Sequence, residues 1–271
     1  MLHSSDSPPS QNFSPWLDRL TTQRVVAVLR SPSVELGWAM AEAALAGGIT
    51  CLEVAWTSDR PADLLARLRS AYPDRCLGAG TVLSMAHLQE AISAGAQFCF
   101  SPVTDPALIQ RSSHQGIPFI PGALTPTEIV HGWSAGAPCI KVFPINTLGG
   151  ATYLRSLSGP LGQIPLIPTG GVTRENMAEL LTAGAIAVGL ASSLFADPWV
   201  RDRNWPAIQD YAATVVAIGQ GFRGSGQSRG SPRPTPALGS CAPTGPAPSD
   251  WDPEPETVDP GGQTDDGDRC E

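Results

Sequence analysis

Lysine is all but absent from this chain. Among 271 residues there is one, Lys141, and the rest of the 17 basic residues are arginines. No cluster of arginines interrupts a formal charge of -8, so nucleic acid, which needs several closely placed cations on its phosphates, is not an expected partner. Long apolar runs are missing as well. Without a stretch of ~18 apolar residues or a charged-then-apolar leader, neither a membrane partner nor secretion is expected, and the cytoplasm is the expected compartment. The six cysteines stand singly at positions 51, 76, 99, 139, 241 and 270, with no Cys-x-x-Cys and no neighbouring His to complete a zinc set. Four of them fall in or beside strand-like segments, where a reduced thiol acts as a small apolar filler. No acids or histidines repeat at metal-ligand spacing either, which disfavours a metal site.

What is present falls into three parts. Residues 1–13 are rich in Ser, Pro and Asn and are expected to be flexible. Residues 14–221 carry the apolar periodicity of a folded domain. From residue 222 to 271 the chain turns to Gly, Ser, Pro and acid, with four arginines against nine carboxylates, and is expected to be a disordered acidic tail.

Within the middle part, short apolar runs alternate with amphipathic stretches. After a short helix over 15–22, strands are expected over 24–30, 49–56, 76–80, 97–101, 117–120, 139–143, 164–167 and 185–189. Helices are expected between them, opened by caps such as Ser33, Asp105 and Thr125, and a last one over 205–218. Eight strands and eight helices at a spacing of about 20 to 25 residues are the sequence form of an α/β fold, the (β/α)8 or TIM barrel. The strands are apolar throughout because parallel strands in this architecture are covered on both faces. A doubly wound open sheet would alternate similarly. Its phosphate loop would follow the first strand, where Leu29-Arg30-Ser31-Pro32 has no glycine.

In a barrel the chemistry collects at the C-terminal strand ends. The polar residues at those places are Arg30, Glu53, Thr81, Ser101, Lys141, Thr169 and Ser192, with Gly170 and Gly171. Lys141 lies among Pro138, Cys139, Ile140, Val142 and Phe143, surroundings in which an ammonium loses hydration and becomes a free amine able to attack a carbonyl carbon. The other reading is an ordinary salt-bridged lysine. Glu53 interrupts a strand in the same way, and burial raises a carboxyl into the range of a proton shuttle, unless the two form only a structural ion pair. The segment Pro168-Thr-Gly-Gly171 opens a helix after the seventh strand, where barrels commonly hold phosphate, although a Gly-Gly turn also serves turn geometry alone. His87, His114 and His131 fall on helices and are expected on the outer ring.

Several stretches together carry a family likeness. Gly48-Ile-Thr-Cys-Leu-Glu53-Val, Gly78-Ala-Gly-Thr81-Val-Leu, Phe100-Ser-Pro102, Ile120-Pro-Gly-Ala-Leu-Thr-Pro126, Lys141-Val-Phe-Pro144 with Gly149-Gly150, and Pro168-Thr-Gly-Gly171-Val resemble the 2-keto-3-deoxy-6-phosphogluconate (KDPG) and 4-hydroxy-2-oxoglutarate (KHG) aldolases. The resemblance implies a class I lyase that releases pyruvate from a 2-keto-4-hydroxy acid, phosphorylated in the first case, as a homotrimer with no metal or other cofactor. It implies Lys141 as Schiff-base lysine and Glu53 as general acid/base. Arg30 and Thr81 would hold the pyruvyl carboxylate, Pro102 and Phe143 would wall the pocket, and Thr169, Gly170, Gly171 and Ser192 would take the substrate and phosphate end. Two features depart from the pattern. Val54-Ala55-Trp56-Thr57 stands where many members read Val-Thr-Leu-Arg, so Arg30 is the candidate to replace that arginine; Val142 and Ile145 also differ. The same imine would serve oxaloacetate decarboxylation, and the alternative from another class is a non-catalytic phosphate-binding barrel with an interaction tail.

Overall fold

The structure is a computed structural model that describes residues 13–222. Nearly all of the expected flexible leader and acidic tail therefore lies outside the described residues. Phe222, assigned to the tail from composition, instead packs partly buried against the core at the end of the last helix.

Nine strand segments, β1 (Val25–Leu29), β2 (Cys51–Ala55), β3 (Cys76–Gly80), β4 (Cys99–Phe100), β5 (Phe119–Ile120), β6 (Gly122–Ala123), β7 (Ile140–Val142), β8 (Leu166–Pro168) and β9 (Val188–Leu190), are all parallel to their neighbours. They pair in the order β5-β4-β3-β2-β1-β9 and β6-β7-β8. Two seams join these rows. β5 and β6 are one barrel strand in which Pro121, having no N–H, interrupts the ladder while its carbonyl still accepts from the Lys141 amide at 2.9 Å. On the far side, Thr169 bridges Gly189 and connects β8 to β9. The result is a closed (β/α)8 barrel.

Around it run α1 (Ser14–Gln23), α2 (Val34–Ala46), α3 (Pro61–Ala71), α4 (Met85–Ser93), α5 (Pro106–His114), α6 (Pro126–Ser134), α7 (Ala151–Leu161), α8 (Met177–Thr182), α9 (Asp197–Arg201) and α10 (Trp205–Gly221). The expected caps are in place: Ser33 accepts from the Leu36 amide, Asp105 from Ala107 and Leu108, and Thr125 forms a capping box with Glu128. Several strands are shorter than expected, and some elements differ more. α8 begins at Met177 rather than Arg174, because the Asn176 side chain accepts from the Thr173 amide and holds a turn there. The last strand sits at 188–190 instead of 185–189, with the Ile186 amide already donating to Leu166. The short α9 is an addition, since five residues are too few to show periodicity.

The period of two along each strand sorts side chains into two cores. Val25, Ala27, Leu29, Leu52, Val54, Ile140 and Val142 face the helices. Val26, Cys51, Cys76, Phe98, Phe100, Ile120, Cys139, Ile167 and Ala187 fill the ring, together with Trp16 and Leu20 of α1. With these two side chains α1 closes the N-terminal end, each contributing roughly 1.5–3 kcal/mol by burial. The mouth at the strand C-termini is left as the accessible end. All four described cysteines are free and buried, and desolvation pushes the Cys99 thiol up to about 12, as suits a filler.

The interior has little slack. A Cβ at Gly78 would lie within 2.7 Å of the Phe98 ring and against the Phe98 carbonyl as well. Gly78→Ala is predicted to lower the unfolding free energy by about 1–3 kcal/mol, read as a lower urea midpoint at constant m; an unchanged midpoint would show that the ring can give.

Candidate functional site

Glu53 is held in the middle of β2, paired in register with Val28 on one side and Gly78 on the other. The alternation that sends Leu52 and Val54 outward turns it into the ring, where it is 1% exposed. Gly80 makes room for it, since a Cβ there would lie 2.6 Å from the Glu53 Oε1. Oε2 is buried and has no hydrogen-bond partner among the described residues. Burial raises this carboxyl from 4.5 to about 7, against the opposing pull of the Lys141 and Arg30 charges.

Lys141 occupies the centre of β7, between Gly122 of β6 and Ile167 of β8, and is 6% exposed. Its flanking Ile140 and Val142 go to the outer core, so the ammonium is the residue that turns inward. Its Nζ sits 5.0 Å from the Phe143 ring centroid and 6.0 Å from that of Phe100. Burial lowers its pKa, with the Glu53 carboxylate opposing and the Arg30 guanidinium assisting. None of the five ion pairs among the described residues includes Glu53 or Lys141. The two groups interact through the interior without a direct salt bridge.

The rim carries the remaining expected residues. Arg30, one residue past β1, is exposed and donates from Nε to Thr57 Oγ1 at 2.8 Å. Thr81, just after β3, has φ 58°, an unfavourable conformation for a β-branched side chain that costs roughly 1–3 kcal/mol. Pro102 follows β4, and its backbone lies against Gly122. Phe143 is 37% exposed, and its ring lies over Gly170 so closely that a Cβ there would come within 3.0 Å. Thr169 is 4% exposed and lies against the Cα of Gly189, at the seam of the ring. Gly170 and Gly171 have φ of 88° and 79°, and their carbonyls accept from the Asn146 amide and the Asn176 side chain.

Lys141, Glu53, Arg30 and Phe143 are thus linked by contact or by charge. Ser192 is not tied to this group: it is exposed in the turn after β9 and makes no hydrogen bond among the described residues. Its neighbour Ser193 instead reaches back to the Val172 carbonyl at 2.7 Å and fastens that turn to the Gly170-Gly171 loop. Neither Phe100 nor Thr57 is given a role at the site by the sequence. Phe100 reads as one more apolar strand residue, and Thr57 as a missing arginine. As expected, His114 and His131 are exposed on α5 and α6, and His87 is half-buried on α4. A cavity of about 290 Å³ lined by Ile145, Asn146, Gly149, Gly150 and Asn176 among others opens beside the loop, away from Lys141 and Glu53; the chemistry, not the volume, marks the site.

A buried amine and a buried carboxyl, each shifted toward neutrality at the open end of a barrel, are the equipment for imine chemistry on a carbonyl substrate. Comparison with known proteins gives the same direction. The family model described as KDPG and KHG aldolase matches residues 17–211. The chain is 36% identical over 162 residues to the 2-dehydro-3-deoxy-phosphogluconate aldolase of Treponema pallidum, covering 60% of this chain and 77% of that one. It is 35% identical over 167 residues to the KHG/KDPG aldolase of Escherichia coli K12, covering 62% and 78%. Among solved structures, the KDPG aldolase of Legionella pneumophila, with pyruvate captured as a covalent carbinolamine intermediate, superposes with a TM-score of 0.68 at 30% identity, over 72% of this chain and 95% of that one. The chain belongs to the KDPG and KHG aldolase family, the class I pyruvate aldolases.

Proposed function

We propose that this aldolase cleaves 2-keto-3-deoxy-6-phosphogluconate to pyruvate and glyceraldehyde 3-phosphate, and 4-hydroxy-2-oxoglutarate to pyruvate and glyoxylate, through a Schiff base on Lys141. The observation that carries the reading is the shared interior of Lys141 and Glu53, in which burial lowers the amine and lifts the carboxyl to about 7. The neutral Lys141 amine adds to the C2 ketone. Protonated Glu53 gives its proton to the carbinolamine hydroxyl, which leaves as water, and a cationic imine remains. The Glu53 carboxylate then takes the C4 hydroxyl proton as the C3–C4 bond breaks. Its electron pair moves into the imine, giving an enamine and the free aldehyde. Return of the proton from Glu53 to C3, followed by addition of water to the imine, frees pyruvate and the amine.

The rim supplies recognition in this reading. Arg30 and Thr81 hold the pyruvyl carboxylate, and Pro102 and Phe143 wall the three-carbon pocket. Thr169, Gly170, Gly171 and Ser192 face the distal end, where a phosphate or second carboxylate meets backbone N–H groups.

We also propose a homotrimer in the cytoplasm. Leu83, Val103, Leu124 and Phe143, on the loops after β3, β4, β6 and β7, are between 37% and 48% exposed, a density of large apolar groups that suits burial against another copy. No described helix is long and apolar enough to cross a membrane.

Borohydride added with pyruvate should trap a covalent adduct on the Lys141 peptide, and Lys141→Arg should lose both adduct and cleavage by several orders of magnitude; an active Lys141→Arg enzyme sinks the mechanism. Pyruvate release from KDPG, its C4 epimer and KHG, measured side by side, decides the substrate. kcat/KM should fall as pH rises through about 7, because free Glu53 then loses the proton that the carbinolamine hydroxyl takes, and Glu53→Gln should remove that limb and reduce the rate by about 10²–10⁴. Stability should run the same way. The folded protein keeps the Glu53 proton where the unfolded chain loses it, so unfolding free energy should fall between pH 4.5 and about 7. The fall is roughly 3 kcal/mol relative to Glu53→Gln; parallel urea curves for the two proteins across that range would refute the assignment. Light scattering should give about three times the 28.3 kDa chain mass, and Leu83→Asp should shift it to one; a monomeric wild type at micromolar concentration ends the trimer proposal.

A further inference from the structure

Arg30 is the cation at the mouth of the ring whose charge reaches both Glu53 and Lys141. It is also exposed, and an exposed arginine with four rotatable bonds does not hold one geometry by itself. One contact restrains it. Its Nε donates to Thr57 Oγ1 at 2.8 Å, while Nη1 and Nη2 make no hydrogen bond among the described residues. A guanidinium can grip a carboxylate bidentately along its side, through Nε and one Nη, or end-on, through both Nη groups. With Nε engaged, the end-on fork is the one left open.

We propose that Thr57 is a positioning residue for the substrate carboxylate: it holds Arg30 by Nε and presents the Nη1–Nη2 fork to the pyruvyl end of the substrate. The proposal rests on reading Arg30 as the carboxylate anchor and assigns Thr57 a part in binding that its hydroxyl alone supplies. Ordering the fork before the substrate arrives removes an entropic cost that binding would otherwise carry. The effect therefore falls on KM and on any ligand with a carboxylate beside its ketone. It spares the chemistry at Lys141, and a ketone without a carboxylate does not sense it. Arg30→Lys cannot imitate the arrangement, because a point charge has no second edge to tether.

The test uses Thr57→Val, which keeps the shape and removes the hydroxyl, with Thr57→Ser, Arg30→Ala and the double variant Thr57→Val/Arg30→Ala. Steady-state cleavage and borohydride trapping by pyruvate and by acetone are measured for each. Thr57→Val should raise KM about three- to tenfold with kcat within about twofold, slow trapping by pyruvate and leave trapping by acetone unchanged. Thr57→Ser should restore the wild-type KM, and Thr57→Val should add nothing in the Arg30→Ala background. A wild-type KM in Thr57→Val, equal slowing with both ketones, or additive effects in the double variant overturns the role of Thr57. If Arg30→Ala raises KM while Thr57→Val does not, the arginine keeps its reading and the tether alone is refuted. If Arg30→Ala leaves KM and pyruvate trapping untouched, both fall, and the Schiff-base chemistry is still reported independently by acetone.

Discussion

Desolvation inside a closed ring is the constraint on which this molecule depends. Glu53 and Lys141 lose most of their hydration, and each is pushed toward its neutral form: the carboxyl upward, the amine downward. Each also restrains the other, because the opposite charge favours ionisation. Burial alone would neutralise both, and contact alone would fix both as ions. The balance between burial and the opposite charge sets how readily either group changes its charge.

The surrounding residues keep that balance. α1 packs Trp16 and Leu20 into the N-terminal end of the ring. Below Glu53 and Lys141 the ring is filled by Cys51, Cys76, Cys139 and Phe98. Level with the pair, glycine is used at Gly78, Gly80 and Gly189, where any side chain would collide with Phe98, with Glu53 or with Thr169. At Gly80, on β3 beside Glu53, that omission is what leaves room for the carboxyl itself. At the rim, Thr81 keeps a strained φ of 58°, and such strain persists only where surrounding contacts over-determine the backbone.

Much of this was legible in the chain. Eight apolar runs alternating with helices specify parallel strands covered on both faces, and Ser33, Asp105 and Thr125 mark helix starts by their side-chain chemistry. Lys141 and Glu53 stood out because each is a lone charge within an apolar strand. Legibility failed where a feature depends on a partner remote in sequence. The division of the fifth barrel strand at Pro121 matters only because its two halves face different neighbours, and the seam at Thr169 and Gly189 has no local signature. Thr57 reads as a lost arginine in the sequence, because its hydroxyl meets Arg30, 27 positions earlier, only in the folded chain. Ser193, not Ser192, makes the hydrogen bond to the Val172 carbonyl because the direction of one turn decides which hydroxyl points back.

By itself, then, the sequence determined the alternation of elements, the residues able to carry imine chemistry and their kinship, since periodicity, caps and ordered motifs are properties of neighbours along the chain. The tertiary structure decided the chemistry of those residues. A pKa depends on how much water is excluded and which charges stand nearby, and here the charges that act on Glu53 and Lys141 stand 23 to 111 positions away along the chain and meet them only when the ring closes.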